Sequence, residues 1–400
     1  MMKDLKPGAA RALFLSTTAF AVSFAVWGLV AALAPTFAQA YGLSAKSKSL
    51  MIAIPVLLGS IGRVPAGMLA DRFGGRKVFS GLLLLSAIPA IGIGLSNSYG
   101  QLLWLGALIG IAGTSFAIGV SFTSRWFSKD QQGTALGVFG MGNVGQSIAV
   151  FGAPVLALWL SSWRPVFYIF ATISLVWSVV FYLFARDAVS TVKPKSLSEN
   201  LSVLRRSPLA WVLSLFYFLT FGGFVAFSIY LPTLLKDLFK LTPADAGART
   251  AGFVLLATFM RPVGGMLADR WGGARVLVGV FAAVAVLGSL MGCPFMPTFT
   301  VGALGAAAAL GLGNGAIFKL VPEYFPKETG TVTGLVGAFG GLGGFFPPLL
   351  LGVIRDATGG YAIGFVLLAL SSIVCLAVNY MVFIRKDRTI RPAAVAPVAQ

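Results

Sequence analysis

The sequence predicts an all-α membrane protein of twelve transmembrane helices, arranged as two six-helix bundles related by a pseudo-two-fold axis along the membrane normal. Three observations carry this expectation: the apolar composition, the length of the apolar blocks, and an internal repeat across half the chain. Of 400 residues, 57% are hydrophobic and only 10% are charged, and the mean hydropathy is +0.89. The apolar residues run in continuous blocks without strand alternation, each about as long as a helix needs to cross a ~30 Å hydrocarbon core. Only helices and closed barrels satisfy their backbone in lipid, so such blocks select helices.

The spans are placed at 13–38, 48–70, 78–96, 100–123, 133–158, 165–185, 209–234, 250–268, 276–293, 298–320, 330–353 and 362–384. The longest polar stretch divides the chain into an N-terminal bundle (1–185), a linker (186–208) and a C-terminal bundle with a short tail (209–400). The basic start, Met1 to Arg11, leads into an apolar stretch too long for a cleaved signal peptide and is read as a retained first span. Basic residues set the orientation. With both termini cytoplasmic, the inside segments hold Arg72, Arg76, Lys77, Arg125, Lys129, Arg186, Lys193, Lys195, Arg205, Arg206, Arg270 and Arg275, among others. The outside segments hold only Lys46, Lys48, Arg164, Lys236, Lys240, Arg249 and Arg355. The formal charge of +18 therefore sits at span ends and does not point to nucleic acid.

The repeat is explicit. Residues 63–75 read RVPAGMLADRFGG and residues 261–273 read RPVGGMLADRWGG, an offset of 198. Further on, Phe127, Lys129, Gly133, Thr134, Gly137 and Gly140 find counterparts in Phe325, Lys327, Gly330, Thr331, Gly334 and Gly337, after a slip of one residue. Span two thus matches span eight, and span five matches span eleven. Both halves start on the same side, which makes the repeat parallel.

Catalytic chemistry is not expected. The cysteines, Cys293 and Cys375, have no metal-ligand spacing, and the chain has no histidine to complete a metal site. No P-loop is present, so neither a cofactor nor direct drive by ATP is anticipated. The chemistry lies in charge. Arg63 and Arg261 each precede a span-end aspartate, Asp71 or Asp269, by eight residues. At ~1.5 Å per residue this puts them roughly 12 Å into the membrane, near its midplane. A charge there costs about 2.5–3.5 kcal/mol even on the lenient insertion scale. The twelve Asp and Glu residues all fall in termini, loops or span ends. An anion between the arginines would neutralise them; backbone carbonyls and water are the alternative. The guanidinium fork suits a planar oxyanion, to which it donates two parallel hydrogen bonds.

Gly67, Leu69, Ala70, Asp71, Arg72, Gly74, Arg76 and Lys77 form the pattern G-x-L-A-D-R-x-G-x-[RK]. The second copy has Gly265, Leu267, Ala268, Asp269, Arg270, Gly272 and Gly273, with Ala274 where the first has Arg76. This pattern resembles the signature of the major facilitator superfamily over nearly the whole chain. The resemblance implies a conformational latch in which the Asp71–Arg72 and Asp269–Arg270 charges lock neighbouring helix ends. A topology-setting loop with snorkelling side chains is the plainer reading. Span five, GTALGVFGMGNVGQS, and span eleven, GTVTGLVGAFGGLGGFFPP, resemble the two glycine-rich signatures of the nitrate/nitrite porter family. Their glycines, Gly137, Gly140, Gly142, Gly145, Gly334, Gly337 and Gly340, are expected to let helices approach closely and slide.

The narrower resemblance implies a secondary transporter for nitrate and/or nitrite in the cytoplasmic (inner) membrane, working by alternating access. Arg63 and Arg261 would clamp the anion. The segment GIAGTSF matches the family's span four and assigns Phe116; YFLTFGGF matches span seven and assigns Tyr217 and Phe221, which share a helix face at i and i+4. Phe116 and Phe221 would sandwich the anion, and Tyr217 would add a polar contact. Asn143 would bond either the anion or a neighbouring helix. Asn314 and Lys319 on span ten are further candidates, with Lys319 expected to snorkel to the cytoplasmic interface. The lack of deep Asp, Glu or His leaves no visible proton carrier and favours nitrate/nitrite exchange over proton symport. The expected partners are a small inorganic anion and membrane lipid, with no nucleic acid and no obligate protein partner. Alternatives are a carrier for another small or organic anion, proton-coupled or extruding, and a membrane receptor. A receptor would call for an added soluble domain, whereas the tail after Arg388 is short and Pro/Ala-rich.

Overall fold

With no water in the hydrocarbon layer, each long apolar segment closes its hydrogen bonds within itself. The computed structural model, which describes residues 5–188 and 197–385, follows that rule. Among the described residues, eleven helices are long and apolar enough to cross a membrane. They include α1 (Ala9–Tyr41), α2 (Leu50–Phe73), α3 (Gly75–Leu95), α4 (Tyr99–Ser124), α5 (Gln132–Trp159) and α6 (Arg164–Phe184) of the first half. In the second half lie α7 (Pro208–Phe239), α8 (Pro243–Trp271), α9 (Gly273–Leu290) and α10 (Met296–Tyr324). A 30-residue helix, α11 (Thr329–Thr358), and α12 (Ala362–Ile384) complete it. Each expected span falls on one of these helices; α11, which carries the eleventh span, is a helix outside those eleven. Some run past their apolar limits: α8 starts well before residue 250 because Thr242 caps it, accepting from the Asp245 N–H, and Pro243 fits its first turn. Within the linker, Leu197–Arg206 forms a short helix. Lys193, Lys195 and the tail from residue 386 lie outside the described residues, as do the side chains of Lys46 and Lys48.

The turns from α2 to α3 and from α8 to α9 lie on the face where α1 and α7 begin, called here the terminal face. Each turn pivots on a glycine with φ of 88°, Gly74 in one half and Gly272 in the other. That backbone region is closed to most side chains, which explains the glycine at this point of both repeats.

The halves meet along two crossings, α2 on α11 and α5 on α8. A Cβ at Gly67 would run into the Gly330 carbonyl, and one at Gly265 into the Gly133 carbonyl. A Cβ at Gly137 would lie 2.6 Å from Pro262 Cα, and one at Gly334 would lie 2.7 Å from Val64 Cα. These glycines therefore set the approach of one half to the other. Gly142 and Gly145 do not: they face Phe20 and Ala21 of α1, inside the first half. Gly340 faces the rings of Tyr217 and Phe221.

The repeat is broken in one respect. In the first half, α2 is interrupted at Gly62, just before Arg63, α4 passes through a 3₁₀ segment at Gly110–Thr114, and α5 does so at Met141–Asn143. In the second half α8, α10 and α11 run through continuously. Mid-helix 3₁₀ turns re-aim carbonyls, and these lie at the level of the arginines.

Candidate functional site

Arg63 and Arg261 are buried, at 2% and 3% exposure. Each reaches across to the glycine-rich helix of the other half. Arg63 donates through Nη1 to the Gly337 carbonyl and through Nε to the Gly113 carbonyl in the α4 3₁₀ segment, at 3.0 Å. Arg261 donates through Nη1 to the Gly140 carbonyl at 3.1 Å. With the Asn143 amide oxygen turned toward it, Arg261 also donates from Nη2 at 3.0 Å and from Nη1. Gly140 and Gly337 are repeat counterparts, so the two bonds across the interface are a symmetric pair. Carbonyls therefore take part of each guanidinium, while an arginine carries five N–H donors. The ion pairs found among the described residues fall on Asp71, Asp269 and Asp237, not at the arginine level.

Phe221 is within cation–π reach of both arginines. Arg63 Cζ lies 5.7 Å and Arg261 Cζ 5.3 Å from its ring centre, and Arg261 also lies 5.7 Å from Phe224. The two guanidiniums are thus no more than about 11 Å apart, and at an effective dielectric of 20 they repel by at least ~1.5 kcal/mol. Attraction to the aromatic face, about 0.5–2 kcal/mol per cation, offsets part of this. Tyr217 stacks on Phe221 at 4.9 Å and on Phe116 at 6.3 Å, with interplanar angles of 4° and 8°. Phe318 closes the stack edge-on to Phe116 and Tyr217, at 4.6 and 4.7 Å. The structure thus brings together Arg63, Arg261, Asn143, Phe116, Tyr217 and Phe221. It departs from the expected sandwich in one way: Tyr217, a single turn from Phe221 on α7, puts its own ring between Phe221 and Phe116. Phe318 was missed in the sequence, where nothing separates it from 32 other phenylalanines.

The signature aspartates act at a distance from the arginines. Asp71 accepts from the N–H groups of Gly330 (3.0 Å) and Thr331 (2.8 Å), the Thr331 hydroxyl (3.0 Å), Ser121 (2.8 Å) and Arg125 Nη2 (3.1 Å). Asp269 accepts from the N–H groups of Gly133 (2.8 Å) and Thr134 (2.7 Å) and from the Thr134 hydroxyl (2.8 Å), and pairs with Lys319 at 3.1 Å. Each carboxylate in one half caps a helix N-terminus in the other, where orphan N–H groups and the helix dipole favour an anion.

Two expectations are corrected here. Arg72 and Arg270 are exposed and stand outside these clasps, Arg72 lying over the Phe73 ring at 5.2 Å. They follow the aspartates directly and point away from the helix ends that the aspartates cap. Lys319 does not snorkel. It is 6% exposed and is held by Asp269 and the Lys129 carbonyl, because a buried carboxylate at its own depth supplies the counter-charge.

Asn314 is 3% exposed, and neither of its amide atoms has a protein partner; the buried Thr220 hydroxyl has none either. An unmatched buried polar group costs about 1–3 kcal/mol. No group of three or more metal-ligating side chains exists among the described residues.

Comparison with known proteins places this geometry in context. The family model described as Major Facilitator Superfamily matches residues 15–248 and again 213–398. A Bacillus subtilis protein named nitrite extrusion protein is 41% identical over 374 residues, covering 92% of this chain and 94% of that protein. A Staphylococcus epidermidis protein named probable nitrate transporter NarT is 36% identical over 395 residues, covering 97% of this chain and 100% of that protein. Among solved structures, the human organic anion transporter MFSD10 (TETRAN) superposes with a TM-score of 0.77 at 16% identity, over 94% of this chain and 100% of that one.

Proposed function

Because the chain belongs to the major facilitator superfamily and, within it, to the nitrate/nitrite porter family of membrane transporters rather than enzymes, we propose that it moves nitrate and nitrite across the cytoplasmic membrane by alternating access. The observation that carries this reading is the symmetric pair of buried arginines, both within reach of the Phe221 ring and with no carboxylate opposite them among the described residues. A planar monovalent oxyanion accepts two parallel N–H bonds from one guanidinium, and one of the same two oxygens has a lone pair left for the second. The faces of Phe116, Tyr217 and Phe221 fix its plane, and Asn143 orients Arg261.

The same geometry supports a coupling between binding and movement. The Arg63–Gly337 and Arg261–Gly140 bonds join the halves. An anion that takes guanidinium donors competes with those carbonyls and loosens the interface beside it. The Asp71 and Asp269 clasps hold the terminal face shut, and that face must part for the anion to leave on that side. The basic loops of this face put it in the cytoplasm under the positive-inside rule, with both termini there. The moving bodies are residues 1–185 and 209–400, joined by 186–208. The reading needs lipid but no protein partner.

Exchange of nitrate for nitrite is favoured over proton symport. The chain has no histidine, and Asp71 and Asp269 are engaged by helix ends rather than by the arginines. Proteoliposomes loaded with nitrite and given external nitrate test this. Uptake that depends on internal nitrite and ignores a pH gradient supports exchange. Uptake that needs the gradient and ignores internal nitrite refutes it. A panel of anions run in the same counterflow assay refutes the substrate itself if another anion is exchanged and nitrate is not.

A further inference from the structure

The internal repeat points to a second polar group at the anion region. Arg63 and Arg261, Asp71 and Asp269, and Ser121 and Lys319 all stand at an offset of 198. Each pair holds the same place in its half: the arginines reach the opposite glycine-rich helix, and Ser121 and Lys319 both contact the clasp carboxylate. At this offset Phe116 corresponds to Asn314. Phe116 forms one end of the stack on Tyr217. The second half therefore carries an amide where the first carries a ring.

Neighbours on α10 fix the direction in which Asn314 faces. Phe318, one turn along, lies edge-on to Tyr217. Leu310, one turn the other way, lies against Gly223 of α7. Gly313 abuts Thr220, and Gly315 abuts the Arg261 carbonyl. Asn314 thus stands at the depth of Arg261, on the stripe of α10 turned to α7 between Tyr217 and Gly223. It is nearly fully buried, both ends of its amide lack a protein partner, and so does the Thr220 hydroxyl. The Phe318 ring one turn away and the Arg261 backbone beside Gly315 place this unpartnered amide at the edge of the arginine and aromatic cluster.

We infer that Asn314 is a substrate-binding residue that sets anion specificity, its Nδ2–H group donating to an oxygen of a small planar oxyanion held at Arg261, with the Thr220 hydroxyl as a second contact. This rests on the anion reading of the site. A neutral amide adds direction without adding charge to two arginines that already repel. It also distinguishes oxyanions by their oxygen count. Two guanidiniums engage two oxygens of either nitrate or nitrite, and the third oxygen of nitrate alone is left to find Asn314.

The test is a titration of the purified full-length protein with nitrate and with nitrite, read by thermal shift, on wild type, Asn314→Leu, Asn314→Ser and Thr220→Val. Asn314→Leu is expected to weaken nitrate about tenfold or more and nitrite by less than about threefold, as for loss of one hydrogen bond to a charged ligand. Asn314→Ser is expected to recover part of the loss, and Thr220→Val to move the nitrate-to-nitrite ratio the same way by less. If Asn314→Leu does not yield folded protein, the ratios of the other two variants decide. Equal weakening of both anions, which a structural role would give, overturns the inference, and so do affinities within twofold of wild type. A wild type that responds to neither anion overturns the substrate reading, and this inference with it.

Discussion

Asp71→Asn changes one atom of the clasp between α2 and α11 and keeps its volume. In the structure Oδ1 accepts from Ser121, Arg125 and the Gly330 N–H, and Oδ2 accepts from the N–H and hydroxyl of Thr331. The amide keeps one oxygen and sets an NH₂ against the Thr331 N–H, donor against donor. The Thr331 hydroxyl can turn to accept, but the backbone N–H cannot. Bonds to a charged acceptor contribute about 1.5–3 kcal/mol, against ~1 kcal/mol for neutral ones. Loss of one such bond, with weakening of the rest and of the favourable charge at the α11 N-terminus, amounts to about 3 kcal/mol. That shifts the ratio of closed to open terminal face roughly a hundredfold. The assay is pulsed dipolar spectroscopy with spin labels at Phe73 and Trp271, exposed counterparts in the two halves, after serine replaces Cys293 and Cys375. Asp71→Asn should enlarge the long-distance population at least tenfold. A distance distribution that superposes on the parent, with and without nitrate, would refute the view that this carboxylate holds the face shut.

Arg63→Lys keeps the charge but cannot hold the Gly113 and Gly337 carbonyls together from one planar fork; nitrate counterflow should fall about 10–100-fold, and near-normal flux would contradict the bidentate geometry. Gly334→Ala places a methyl 2.7 Å from Val64 Cα, an overpacking of about 1–3 kcal/mol, and should slow exchange severalfold. Gly152→Ala, which meets nothing within 4 Å, is the matched control and should exchange at the parental rate. Because the chain has no histidine, initial exchange rates should stay flat between about pH 6 and 8; a change of more than roughly threefold would reveal a titrating group in the cycle.

The twelve spans and the two arginines were legible because lipid is an unforgiving solvent. It demands long apolar helices and makes a midplane charge costly, and the repeat then doubled the signal. What escaped the sequence depends on contacts between distant segments. The sequence position of Lys319, near a span end, fits a snorkelling side chain; only the packing of α10 against α8 reveals that Asp269 holds it. The partners of Asp71 lie on α4 and α11, so its neighbour Arg72 was the natural but wrong choice for the lock. The break in α2 was equally hidden. Each half carries one proline beside its arginine, Pro65 two residues after Arg63 and Pro262 directly after Arg261, so proline alone does not tell the halves apart. The helix pattern lapses in the first half, at Gly62, whose backbone stays right-handed helical, while its counterpart Met260, a good helix former, lies within a continuous helix.

The two clasps look alike in sequence but pair with cations of different exposure, and the difference bears on how each would part. Asp269 pairs with Lys319 where both side chains are 8% exposed, whereas Asp71, itself 3% exposed, pairs with an Arg125 that is 27% exposed. Breaking a buried pair by removing one partner costs about 3–5 kcal/mol, against ~0–1 kcal/mol for a solvated one. Arg125 can keep part of its hydration as it leaves Asp71, but the Asp71 carboxylate is no less buried than Asp269 and is also held by Ser121, Gly330 and Thr331, so neither clasp opens without hydrating a buried carboxylate. The α2–α11 crossing lies beside the Arg63–Gly337 bond, and the α5–α8 crossing beside the Arg261–Gly140 bond. An anion that draws Arg63 off the Gly337 carbonyl would loosen the α2–α11 crossing, and one that draws Arg261 off the Gly140 carbonyl would loosen the α5–α8 crossing, so under the proposed cycle both seams answer to the same ligand.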